Sequence, residues 1–111
     1  MSGTRPIEVL SGVNARLSNS TISGNHVAFH VDASTDHAKV YLDHCTVYIN
    51  EYPYELFGTT EGIDAVLGAA NSAFVDYYQI GTKVGTNVFV ISFGNNSTEI
   101  GGFFNLTYPP Q

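Results

Sequence analysis

Basic residues are scarce in this chain: Arg5, Arg16, Lys39 and Lys83 stand against ten acids, for a formal charge of −6. Affinity for nucleic acid rests on neutralising phosphates with Lys and Arg, so that class of partner is argued against. A polyanionic sugar is disfavoured on the same ground unless a cation bridges the charges. Cysteine is represented by Cys45 alone. No intrachain disulfide can form, and the redox compartment stays open. Apolar runs of about 18 residues are missing, so no membrane insertion is expected, and the first residues lack a signal-like apolar block. The expectation is an intracellular chain, or else a mature or excised piece of something larger. Long stretches of Ala, Leu, Glu and Lys are missing too, which leaves helix a minor component.

What is present suits a single folded all-β domain spanning residues 1–111. Hydrophobic residues make up 43% and charged residues 13%, a balance that separates the chain from disordered sequences. Seven Tyr, seven Phe and eleven Gly, with many Asn, Ser and Thr, point to strands and turns. A chain this short buries about 65% of its unfolded surface, so the core is limited. Sequons at Asn19, Asn95, Asn96 and Asn105 are what chance produces in such a composition.

Internal repetition supplies the main signal. LSNSTISGN (Leu17 to Asn25) and LDHCTVYIN (Leu42 to Asn50) lie 25 residues apart and share Leu, Thr and Asn in place. A shift of 27 aligns NSAFVDY from Asn71, and another 25 reaches NSTEIGG from Asn96. Columns follow from that register. Asn19, His44, Asn71 and Asn96 form one, and Ser20, Cys45, Ser72 and Ser97 the next. Ile22, Val47 and Phe74 form an apolar column, and further columns join Val27, Tyr52, Gln79 and Phe104, then Phe29, Tyr54, Gly81 and Leu106. Stacks of like residues are what a solenoid produces, because each coil rests its interior on the coil below.

Within each coil the pattern alternates with period two: Val27, Phe29 and Val31 against Ala28 and His30, and Val40 and Leu42 against Tyr41 and Asp43. Asn19, Asn25 and Asn50 supply corners, since Asn tolerates the left-handed conformation that a sharp turn requires. The excursions DASTDH and GTTEGID fall between coils, where a solenoid accommodates insertions. The expected fold is a short right-handed parallel β-helix of about four coils, with a period near 25 residues. The coils run roughly over 7–33, 34–58, 59–83 and 84–108. An antiparallel sandwich accounts for the alternation equally well, but leaves the column register as coincidence.

NSTISGN, LDHCTVYIN and the late ISFGNN resemble the repeats of bacterial right-handed parallel β-helix proteins of the pectate-lyase-like type. The resemblance covers about Asn14 to Gly102. It implies a secreted or cell-surface, carbohydrate-related setting. It carries no catalytic residue, because none of the family's basic catalytic residues falls on a matched position. The departures are Glu99 in an apolar column, Tyr77 at a corner, and Pro53 within a strand.

Two candidate sites follow from the register. His26, His30 and Asp32 share an outward strand face with Ala28, and the next coil sets Glu51 beside His26 and Glu55 beside His30. This polar set reads as a solvated cross-strand charge ladder or as an acid–base or zinc site. Two His at i, i+4 on a strand are about 13 Å apart, too far for one metal ion. The second candidate is an outward apolar patch, with Tyr78 beside Phe103 and Ile80 near Pro53. It serves as an interface between copies of the chain or as a platform for sugar rings. A homo-oligomer is expected, although the tail FFNLTYPPQ is apolar enough to cover one end itself. His44 beside Cys45 looks like a catalytic dyad, but the register turns Cys45 inward as a small hydrophobe. The expected function is that of a non-catalytic structural or binding module without cofactor or metal. The alternative is a carbohydrate-active enzyme or carbohydrate-binding module of pectate-lyase-like ancestry.

Overall fold

Three short strands separated by sharp corners make up each coil. The computed structural model describes residues 7–79, 81–98 and 103–107. The first coil holds β1 (Ile7–Val9), β2 (Asn14–Ser18) and β3 (Thr21–Ser23), and the second β4 (Val27–Asp32), β5 (Ala38–Asp43) and β6 (Thr46–Asn50). The third holds β7 (Tyr52–Phe57), β8 (Ala65–Ala70) and β9 (Ala73–Tyr77). The fourth holds β10 (Thr82–Val84), β11 (Val88–Ser92) and β12 (Ser97–Thr98), and a last strand, β13, covers Leu106–Thr107. Like strands stack into three sheets, ordered β1-β4-β7-β10, β13-β11-β8-β5-β2 and β12-β9-β6-β3. Pairing between the described strands is parallel throughout, which makes the chain a parallel β-solenoid of about four turns and removes the sandwich alternative. No helix occurs among the described residues.

The apolar columns take the register read from the sequence. Ile22 pairs with Val47 and Val47 with Phe74, and all three are buried. Val27 pairs with Tyr52, and Phe29 with Tyr54. In the second sheet Val40 lies on Leu67 and Leu67 on Val90, all at 0% exposure. Each such side chain contributes about 1.5–3 kcal/mol on burial, so the stacked interior is the main source of stability. Corners are made by residues with positive φ: Asn19 at 51°, His44 at 55°, Asn71 at 53° and Asn95 at 57°. The two excursions stack on one another, with the Thr60 hydroxyl donating to the Ser34 carbonyl at 3.1 Å.

The fourth coil departs from the expected register. Asn95, not Asn96, holds the corner, and Asn96 turns in to accept a hydrogen bond from the Ser72 N–H at 2.9 Å. Ser97 pairs with Ala73 and Thr98 with Phe74, so Thr98 rather than Glu99 occupies the apolar column. Gly94, at φ 120°, admits an extra residue before the corner. The step from the third coil is consequently 23 residues at β11 (Ala69 to Ser92) and 24 at β12 (Ala73 to Ser97). Glu99 and Ile100 lie outside the described residues.

A second correction concerns Phe103, expected outward beside Tyr78. It is 1% exposed and faces the core. The next described strand after β12, β13, joins the second sheet beside β11, where Leu106 pairs with Ile91. Phe104 and Leu106 therefore do not extend the columns that end at Gln79 and Gly81. A Cβ on Gly81 would stand 2.6 Å from the Tyr54 ring, so that ring packs directly on the Gly81 backbone. Phe103 packs on the rings around it, its centroid 4.6 Å from Phe74, 5.3 Å from Tyr54 and 5.8 Å from Tyr77. Asn105 holds the crossing in place. Its N–H donates to the Val90 carbonyl, its Oδ1 accepts from the Val90 N–H at 2.6 Å, and its Nδ2 donates to the Val88 carbonyl at 2.9 Å. One side chain thus satisfies β11 backbone groups that a further strand would otherwise pair.

Tyr54 is fully buried and its hydroxyl has no hydrogen-bond partner among the described residues. Burial, with a smaller contribution from Tyr77, pushes its phenol up to about 12. The unfolded chain ionises near pH 10, so this group's contribution is fully present below pH 10 and is lost as pH rises to about 12, an expected loss of about 2–3 kcal/mol. Tyr54→Phe should remove that alkaline loss and raise stability at neutral pH by about 1 kcal/mol, because an unpaired buried hydroxyl disappears. Urea unfolding at pH 7 and at pH 11 measures both; a less stable Phe variant at pH 7 would mean that the hydroxyl is satisfied.

Candidate functional site

A concave surface lies on the outer face of the second sheet. With period two, β5 turns Val40 and Leu42 inward and Tyr41 and Asp43 outward. β2 does the same with Leu17 against Arg16 and Ser18, and β8 with Leu67 and Ala69 against Gly68 and Ala70. The register then forms two outward rows, Arg16–Tyr41–Gly68 and Ser18–Asp43–Ala70. Gly68 is the floor. A Cβ there would meet Tyr41 Cδ1 at 2.7 Å and Phe93 Cε2 at 2.8 Å, so its bare backbone lets both rings lean across. Their centroids are 6.2 Å apart with planes at 50°. The Arg16 guanidinium carbon stands 5.3 Å from the Tyr41 centroid. The resulting open cleft, about 690 Å³, is lined by these residues with Ser18, Asp43 and Ala70. That volume falls within the usual range for small-molecule sites.

Asp43 is fixed by the corner column. Asn95 Nδ2 donates to Asn71 Oδ1 at 3.0 Å, and Asn71 Nδ2 donates to Asp43 Oδ1 at 3.0 Å. His44 Nδ1 lies 3.1 Å from the same oxygen. The Asn71 hydrogen bond first, and that of His44 second, hold the Asp43 carboxyl below its ordinary value. Stability from this group is therefore present above the usual Asp range and is lost as pH falls through the lowered value. Chemically, the cleft offers two aromatic faces, one guanidinium donor and one fixed carboxylate acceptor. A glycosidase pair needs two carboxyl groups about 5–10 Å apart, and the cleft lining holds one.

The polar candidates meet in pairs. His26 Nδ1 lies 2.9 Å from Glu51 Oε1, and His30 Nδ1 lies 2.6 Å from Glu55 Oε1. The first pair is exposed. The second is nearly covered, with His30 at 9% and neighbouring Ala28 at 0% exposure. Asp32, the last residue of β4, stands apart and accepts from the Ser34 hydroxyl just beyond the strand. No group of three His, Cys, Asp or Glu side chains among the described residues is placed to hold a metal ion. Of the apolar patch, Tyr78 is 86% exposed, Phe103 is inside, and Ile80 lies outside the described residues. The self-association expected on that patch loses its central ring.

His44 and Cys45 diverge. His44 is outward on Asp43, whereas Cys45 is 1% exposed with its Sγ 3.6 Å from the Leu17 and Asp43 carbonyl oxygens. Native protein should react with a thiol reagent roughly 100-fold or more slowly than urea-unfolded protein, since access requires local opening. Equal rates in the two states would place the thiol outside the Ser20–Cys45–Ser72 column.

No protein-family model matches the chain, and neither a curated protein nor a solved structure shows significant similarity to it. Among the described residues no helix is long and apolar enough to cross a membrane. The cleft was not among the sites read from the sequence. Tyr41 and Asp43 were visible as the outward members of an alternating strand. Gly68 is hidden within the apolar run AVLGAA, and Phe93 lies just past β11, where Ile91 rather than Phe93 pairs with Gly68, so its ring reaches the cleft by leaning across the register.

Proposed function

We propose that the chain is a non-catalytic binding module of the parallel β-helix class whose cleft holds a saccharide ring. The supporting observation is the Tyr41–Phe93 pair leaning over the bare backbone of Gly68. Such a trough presents aromatic faces to the apolar side of a pyranose, while Asp43, Ser18 and Arg16 stand ready for its hydroxyls. A lone carboxylate in the cleft favours binding over turnover. The resemblance of the repeats to pectate-lyase-like β-helices is consistent with a carbohydrate ligand, although none of that family's catalytic residues is matched.

A glycan array followed by calorimetry tests this reading. Tyr41→Ala should weaken binding of any retained glycan by about 2–13-fold, the range that one aromatic contact contributes. Gly68→Val, which fills the floor, should abolish it in protein whose circular dichroism is unchanged. Retention of no glycan, or affinity indifferent to both substitutions, would overturn the proposal.

A further inference from the structure

We infer that Asp43 makes the cleft selective for uncharged, hydroxyl-bearing rings over uronic acids. The inference rests on the saccharide reading of the cleft and goes beyond it by assigning the ligand's charge. Three observations carry it. Asp43 lines the cleft, and its Oδ1 is taken by Asn71 and by His44 at 3.0 and 3.1 Å, which leaves Oδ2 as an acceptor for a ligand. Those partners, with Asn71 itself held by Asn95, keep the carboxylate at the edge of the cleft, so a second negative charge there meets it. Among the described residues that line the cleft, the cationic side chain is Arg16, and it already rests over the Tyr41 ring at 5.3 Å.

A hydroxyl both donates and accepts, so a neutral ring satisfies Asp43 and Arg16 together. A uronate carboxylate only accepts. It can pair with Arg16, but it meets Asp43 as a like charge, inside the field of a chain with net charge −6. Two such charges about 5 Å apart in water shift an equilibrium by roughly fourfold, and more where the cleft excludes solvent. Asn71 acts here as a positioning residue, since it touches Asp43 and not the ligand site.

The test is calorimetry at low salt with a neutral hexasaccharide retained on the array and with hexagalacturonate. Wild-type protein should bind the neutral probe about tenfold more tightly. Asp43→Asn keeps an oxygen for Asn71 to donate to and leaves Arg16 unopposed, so the preference should narrow to about threefold or less. The gained uronate affinity should fall as salt is raised, and should vanish when Arg16→Ala is added. Asn71→Gly, which tolerates the positive φ, should relax the preference part of the way. A wild-type preference for hexagalacturonate, or an unchanged ratio in Asp43→Asn, would overturn the inference and leave the saccharide reading standing. If wild-type protein bound neither class, both would fall together.

Discussion

Replacing Phe103 by Ser is expected to lower the unfolding free energy by about 3–5 kcal/mol, the range for losing a buried Phe side chain. The residue is 1% exposed and closes the last coil against Phe74, Tyr54, Tyr77 and Phe104. Its removal uncovers the interior of a solenoid end, and the serine hydroxyl adds a polar group facing that interior. Domains of this size are held by about 5–15 kcal/mol in total. The variant should therefore unfold at much lower urea concentration, and the fraction that stays folded should associate through the uncovered end. Urea denaturation and light scattering measure the two effects. A variant with wild-type midpoint and wild-type scattering would show that Phe103 does not cap the core.

Phe74→Ala should cost a similar 3–5 kcal/mol for a different reason. Phe74 is fully buried in the column above Val47, with Phe103 at 4.6 Å and Phe104 at 6.0 Å on its other side. Truncation leaves a cavity between two coils whose backbones are tied by parallel ladders, so the site cannot collapse to fill it. Because the Phe74 and Phe103 rings touch, the double variant should be less destabilised than the two single losses added together. A loss under about 1 kcal/mol for Phe74→Ala would mean that the column is not part of the core.

Four coils stacked in parallel sheets could be read from the residues because a solenoid repeats its interior. Ile22, Val47 and Phe74 are bound to recur wherever each coil rests on the one below, and Asn19 and Asn71 wherever the chain must turn sharply. The pairing of His26 with Glu51 and of His30 with Glu55 follows from that same register, since neighbours in adjacent coils are separated by one period. Tertiary structure alone decided where the repeat stops and what its outer faces became. Phe103 turned inward onto the rings of Phe74, Tyr54 and Tyr77, a cluster that exists only once the coils are stacked. Asn95 displaced Asn96 at the last corner because Gly94 could absorb an extra residue, a backbone choice that side-chain patterns do not encode. The cleft formed where a glycine in one coil, a tyrosine in the coil before it and a phenylalanine in the coil after it met on a single face. Period-two alternation says which side of a sheet a residue takes, but only packing says which outward side chains lean together and leave a space between them.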